Sequence, residues 1–164
     1  MNIRSFGMGA AGLLAATAAQ AAEPAPAPAP AKHDHDHAHE ASGATLRLND
    51  GKKWQTDASL RAGMEAVRDE LQPNVKAIHA KTFTAEQYAA LAGRIEGRLV
   101  TIMSACKLPP DVDAQLHVLL VDFFDGAKTM KADGDRMKGV VKIVRALDAY
   151  GKHFEHPNWK SIEH

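Results

Sequence analysis

From Asp57 onward the chain carries four successive runs of apolar residues spaced by three and four, with breaks rich in proline, glycine and aspartate. That period belongs to helices with one buried stripe, and a strand would need strict alternation instead. The first run, Leu60, Met64, Val67, Leu71, Val75 and Ile78, follows Asp57 or Ser59 as cap and reaches about Ala80. Pro73 predicts a kink within it, because proline lacks the amide that the helical ladder needs. Thr84 and Gln87 form a capping box for the second helix. Its stripe is Tyr88, Leu91 or Ala92, Ile95, Leu99, Ile102 with Met103, and Cys106. Pro109 and Pro110 end it, and Asp111 or Asp113 opens the third helix, with Val112, Leu116, Leu119, Leu120, Phe123, Ala127 and Met130 turned inward. Asp133-Gly134-Asp135 leads into the fourth, whose expected core face is Met137, Val140, Val141, Val144, Leu147, Gly151 and Phe154, up to Pro157. Short connections between long amphipathic helices favour antiparallel neighbours. The expected fold class is therefore all-α, an antiparallel up-down four-helix bundle over residues 57–164. A short extended arm or hairpin over 44–56 precedes it, because Leu46, Leu48 and Trp54 flank the turn signal Asn49-Asp50-Gly51.

The first 21 residues read as a cleavable signal peptide. Arg4 supplies the positive start, Phe6 to Ala19 an apolar stretch, and Ala19-Gln20-Ala21 the small-x-small cleavage pattern. The apolar stretch is too short and too weakly hydrophobic to span a bilayer. The expected location is the periplasm, with no stable membrane insertion after cleavage. Residues 22–43 are then a polar linker, opening with Pro-Ala repeats that favour extended polyproline II. The 20 basic and 20 acidic side chains balance, and removing Arg4 leaves 19 against 20. No basic stripe tracks a phosphate backbone, so nucleic acid is not an expected partner.

Nine histidines are the compositional outlier. Four of them, His33, His35, His37 and His39, alternate with Asp34, Asp36 and Ala38 in the segment KHDHDHAHE. Imidazole and carboxylate are ligands for borderline divalent ions, so this segment is expected to capture copper(II), nickel or zinc. A second candidate site follows from the topology. In an up-down bundle the start of the first helix lies near the ends of the second and fourth and the start of the third. That pole gathers Met64, Met103, Cys106, His117 and His153, with His156, Trp54 and Trp159 near by. Helical phase puts Met64, Met103 and Cys106 on core faces, His117 at the edge of its stripe, and His153 nearly opposite its core face. Thiolate, thioether and imidazole are a soft set that suits copper. Ordinary packing with an inert thiol is the competing account, since methionine and free cysteine are common core residues.

The stretch LRAGMEAVRDEL, from Leu60 to Leu71, resembles the first helix of the cytochrome b562 family, and Ala149-Tyr150 with Phe154 resembles its last helix. The resemblance implies a four-helix bundle and, with Met64 at the place of a haem-ligating methionine, haem as a second cofactor candidate. The haem histidine of that family follows directly after Ala-Tyr, where this chain has Gly151. His153 lies about 200° further round the helix and does not replace it.

No phosphate-binding glycine loop, HExxH pair or nucleophile elbow occurs, and no oxyanion hole accompanies Cys106 and His117, so no enzyme is expected. The expected function is periplasmic metal handling, of copper above all, with a metal efflux or delivery protein as partner. A haem electron carrier and a non-metal periplasmic adaptor or sensor domain are the alternatives.

Overall fold

The computed structural model describes residues 45–163. The expected signal peptide, the linker and the four alternating histidines lie outside the described residues.

Helix α1 (Ala58–Leu71) starts at Asp57, whose Oδ1 accepts from the amide of Leu60 at 2.7 Å. Its apolar stripe, Leu60, Met64, Val67 and Leu71, is fully buried. Pro73 acts as its chemistry requires: the helix tightens into a 3-10 turn (Gln72–Asn74) before continuing as α2 (Val75–His79). The capping box opens α3 (Ala85–Ala105), with Gln87 N donating to Thr84 Oγ1 at 3.2 Å and Thr84 N donating to Gln87 Oε1 at 2.8 Å. Helix α4 (Pro110–Lys131) opens on Pro110 itself, where the missing amide costs nothing. Asp111 and Asp113, expected to open it, stand in its first turn, where carboxylates suit the positive end of the helix dipole. Helix α5 (Met137–His153) completes the set.

The described residues are thus mostly helical, with no strand among them. Helix α1 packs on α3, α3 on α4, and α4 on α5. Two glycines govern the last contact. A Cβ on Gly139 would come within 2.5 Å of the Gly126 carbonyl oxygen, so α4 and α5 meet backbone to backbone there. That approach also sets the rotation of α5. Its buried face is Gly139, Val140, Ile143, Ala146, Leu147 and Tyr150, while Val141 is exposed and Val144 half-buried. The sequence expectation had placed Val141 and Val144 inward, and the stripe is turned away from them. Across the α1–α3 contact, Glu70 takes Arg94 at 2.8 Å and Arg98 at 2.9 Å, and these two guanidiniums hold its carboxyl below the usual range.

The segment before α1 makes a tight turn instead of a hairpin of two strands. Asn49 and Lys52 exchange two backbone hydrogen bonds of 2.8 Å around Asp50 and Gly51, both at positive φ. Trp54 then pairs with the end of α5: its amide donates to His153 O and its carbonyl accepts from Glu155 N, each at 2.8 Å. Asp57 Oδ2 accepts from Lys107 N at 2.7 Å, so the start of α1 is tied to the end of α3. Arg47 N donates to Gln115 Oε1 at 2.9 Å, which brings the start of α4 to the same end of the domain.

Candidate functional site

The expected pole ligands are sorted by burial. Met64 is fully enclosed in the core. Met103, expected on a core face, is 47 % exposed, because its neighbour Ile102 takes the inward position and the next residue lies about 100° away. Cys106 is half-buried at the end of α3. Burial, then the carboxylates of Asp57 and Asp113, pushes its thiol up to about 11. His117 faces solvent and turns its ring back along its own helix. Its Nδ1 lies 2.9 Å from Asp113 O and 3.3 Å from Asp113 Oδ2. His153 is half-buried and its Nδ1–H donates to Ala149 O at 2.8 Å. Among the described residues, no group of three or more histidine, cysteine, aspartate or glutamate side chains is placed to hold a metal ion. His33, His35, His37 and His39 lie outside those residues.

What the same end does assemble is a chain of hydrogen bonds. Tyr150, on the last turn of α5, is fully buried, and its hydroxyl lies 2.9 Å from His156 Nδ1. The His156 side chain is 3 % exposed, and its Nε2 lies 3.1 Å from Glu65 Oε1 of α1. A carboxylate only accepts, so Nε2 carries the proton toward Glu65. In that tautomer Nδ1 accepts from the Tyr150 hydroxyl, and both ring nitrogens have a partner. Burial, with Glu65, Cys106 and Asp57 adding to it against Arg61, raises the Tyr150 pKa and keeps the phenol protonated. Glu65 is half-exposed and, with His156, Arg61, Thr56 and Glu155, lines an open groove of about 400 Å³. Arg61 is held in place by the Thr56 carbonyl at 2.6 Å.

No known protein family, characterised protein or solved structure matches this chain.

The local cause of the arrangement is the turn after α5. Phe154 leaves the helix in an extended conformation (φ −115°, ψ 137°), and Asn158 after Pro157 adopts a left-handed one (φ 63°), folding residues 159–163 back. Trp159 therefore lies across Gly151: a Cβ there would sit 2.6 Å from the indole Cδ1 and 2.7 Å from Nε1. The indole meets the Tyr150 ring edge-on at 4.9 Å and the His156 ring at 5.0 Å, while Phe154 stacks on Tyr150 at 5.4 Å. Arg68 of α1 covers the outer face of Trp159, 5.5 Å from its centroid.

Sequence reasoning gathered His156 and Trp159 at this pole but assigned no role to Tyr150 or Glu65. The helical stripe drawn for α5 skipped Tyr150. Only the extended exit at Phe154, where Glu155 N donates to Trp54 O, brings residue 156 back over residue 150. A tyrosine followed six residues later by His-Pro across a helix end was the one available signal.

Proposed function

We propose that the chain is an exported metal-binding protein of the copper-handling type. A cleaved signal over residues 1–21 sends it to the periplasm, and an antiparallel four-helix bundle carries a capture arm bearing His33, His35, His37 and His39. The observation that carries this reading is the segment KHDHDHAHE, four imidazoles at every second position with carboxylates between. Copper(II) heads the affinity order of divalent ions for such nitrogen and oxygen donors, with nickel and zinc following. A metal efflux or delivery protein then takes the ion.

The folded domain supports the carrier role. Its continuous apolar stripes and helix caps support folding that does not depend on ligation. The pole contributes less than its composition promised. Met64 is spent in packing, Met103 and His117 face solvent, and the Cys106 proton is held by burial and two carboxylates. The haem reading has weaker support, because the Trp159 indole lies over Gly151, at the place of the missing histidine.

The test is a titration of Cu(II), Ni(II) and Zn(II) into the full chain and into a chain lacking residues 32–40. Binding should be lost with the deletion, release protons, and fade as the imidazoles protonate around pH ~6.5. Equal binding by the truncated chain would move the site to the bundle. No binding by either chain would leave the adaptor reading, and a Soret band after haem addition would favour the electron carrier.

A further inference from the structure

The Tyr150–His156–Glu65 chain and the indole beside it have the parts of a proton-coupled redox site. A phenol loses an electron readily only if its proton leaves with it, since the oxidised phenol is a very strong acid. Tyr150 has that exit. Its hydroxyl lies 2.9 Å from His156 Nδ1, the opposite ring nitrogen faces Glu65 at 3.1 Å, and Glu65 opens to the groove. Tyr88, the second of the two tyrosines, is likewise buried but packs edge-on against Phe83, 5.0 Å away, with no histidine in that contact.

Trp159 differs from Tyr150 in two respects that set a direction. Its Nε1–H is buried and meets no acceptor among the described residues, so an oxidised indole has nowhere to send a proton. The Arg68 guanidinium sits over the same ring, and a nearby positive charge penalises an indole radical cation. A hole that reaches Trp159 at the partly exposed edge of the cluster is therefore driven 4.9 Å onward to Tyr150, where it is neutralised by proton loss.

We propose that Tyr150 is a redox-active tyrosine that gives up one electron through Trp159 and its proton through His156. The electron goes to a strong one-electron oxidant at the surface, of the kind that a redox metal and peroxide generate. The oxidant is reduced by one unit, the phenol O–H bond breaks, and the proton passes to His156 Nδ1. His156 releases its Nε2 proton to Glu65. The products are a neutral tyrosyl radical, a neutral histidine and a protonated Glu65, and a reductant reverses the sequence. The geometry of the cluster carries this step independently of whether the histidine segment binds metal.

Photogenerated tris(bipyridyl)ruthenium(III) oxidises the metal-free full chain in the test, with the radical read by electron paramagnetic resonance. A tyrosyl signal should appear, survive in Tyr88→Phe and vanish in Tyr150→Phe. His156→Gln should lower its yield by about tenfold, the effect of roughly 1.4 kcal/mol on a barrier, and deuterated water should slow its formation wherever His156 is present. Circular dichroism of each variant confirms that the fold is retained. Should His156→Gln unfold the domain, Glu65→Gln at the exposed end provides the second reading, with a smaller loss of yield. A radical confined to Tyr88 or to tryptophan, or a Tyr150 yield indifferent to both substitutions and to deuteration, overturns the proposal. The hydrogen bonds would then be a latch between α1 and the tail of α5 and nothing more.

Discussion

Replacing Gly139 by alanine tests whether backbone contact fixes the α4–α5 pair. In isolation the change helps a helix, by about 1 kcal/mol at an interior position and less near an end, where Gly139 stands. The structure opposes that gain. The new methyl would sit 2.5 Å from Gly126 O, 2.6 Å from Met130 Cγ and 2.7 Å from Met130 N. Two of those three atoms are backbone and cannot swing aside, so α5 must move off α4. Overpacking costs about 1–3 kcal/mol when side chains can adjust, and a backbone neighbour puts this site at the upper end. The expected net loss is about 2 kcal/mol. Gly97→Ala is the control. Gly97 lies mid-helix in α3 with nothing within 4 Å of its added Cβ, so the same substitution should stabilise by about 1 kcal/mol. Urea unfolding followed by circular dichroism should therefore separate the two variants by about 3 kcal/mol, or roughly 10 °C in Tm. If Gly139→Ala is neutral or stabilising, α4 and α5 do not touch where the two glycines cross.

Burial raises both Cys106, to about 11, and Tyr150, so each favours its neutral form in the folded state. The sign follows from the unfolded chain, where the thiol ionises first, near pH ~8.5, and the phenol near ~10. Stability from both groups is complete below pH ~8.5 and declines as pH rises towards the folded values. The urea midpoint should fall across that window and Cys106→Ala should remove its first part; a midpoint that stays level to pH ~11 contradicts the burial of both groups. The two pole methionines should also part company. Met64→Ala empties the core and should cost about 2–5 kcal/mol, while Met103→Ser should stay within about 0.5 kcal/mol. Thermal melts with the order reversed would put Met103 inward after all.

Much of the local structure was legible in the sequence because its causes are local. A three-and-four apolar period, Asp57 ahead of α1, the Thr84/Gln87 box and the Pro73 break each act over a few residues, and each appears where the sequence put it. Asp50-Gly51 likewise marks a turn by its own backbone preference. Helix rotation was not legible to that depth. Stripes drawn from apolar residues alone carry an error of about one residue, or 100°, and that error separates Ile102 from Met103 and Ile143 from Val144. Gly126 and Gly139 decide the rotation of α5 by letting two backbones touch, and that pairing joins residues of different helices. The candidate site shows the same division. Its residues were visible at one pole, but their chemistry depends on which atoms meet. The extended exit from α5 at Phe154 brings His156 to the Tyr150 hydroxyl and to Glu65, ninety-one positions away in the chain, and the turn at Asn158 lays Trp159 over Gly151. Such a hydrogen-bonded chain has no periodicity and no spacing rule, because it is created only when the packed helices bring distant side chains within hydrogen-bonding distance of one another.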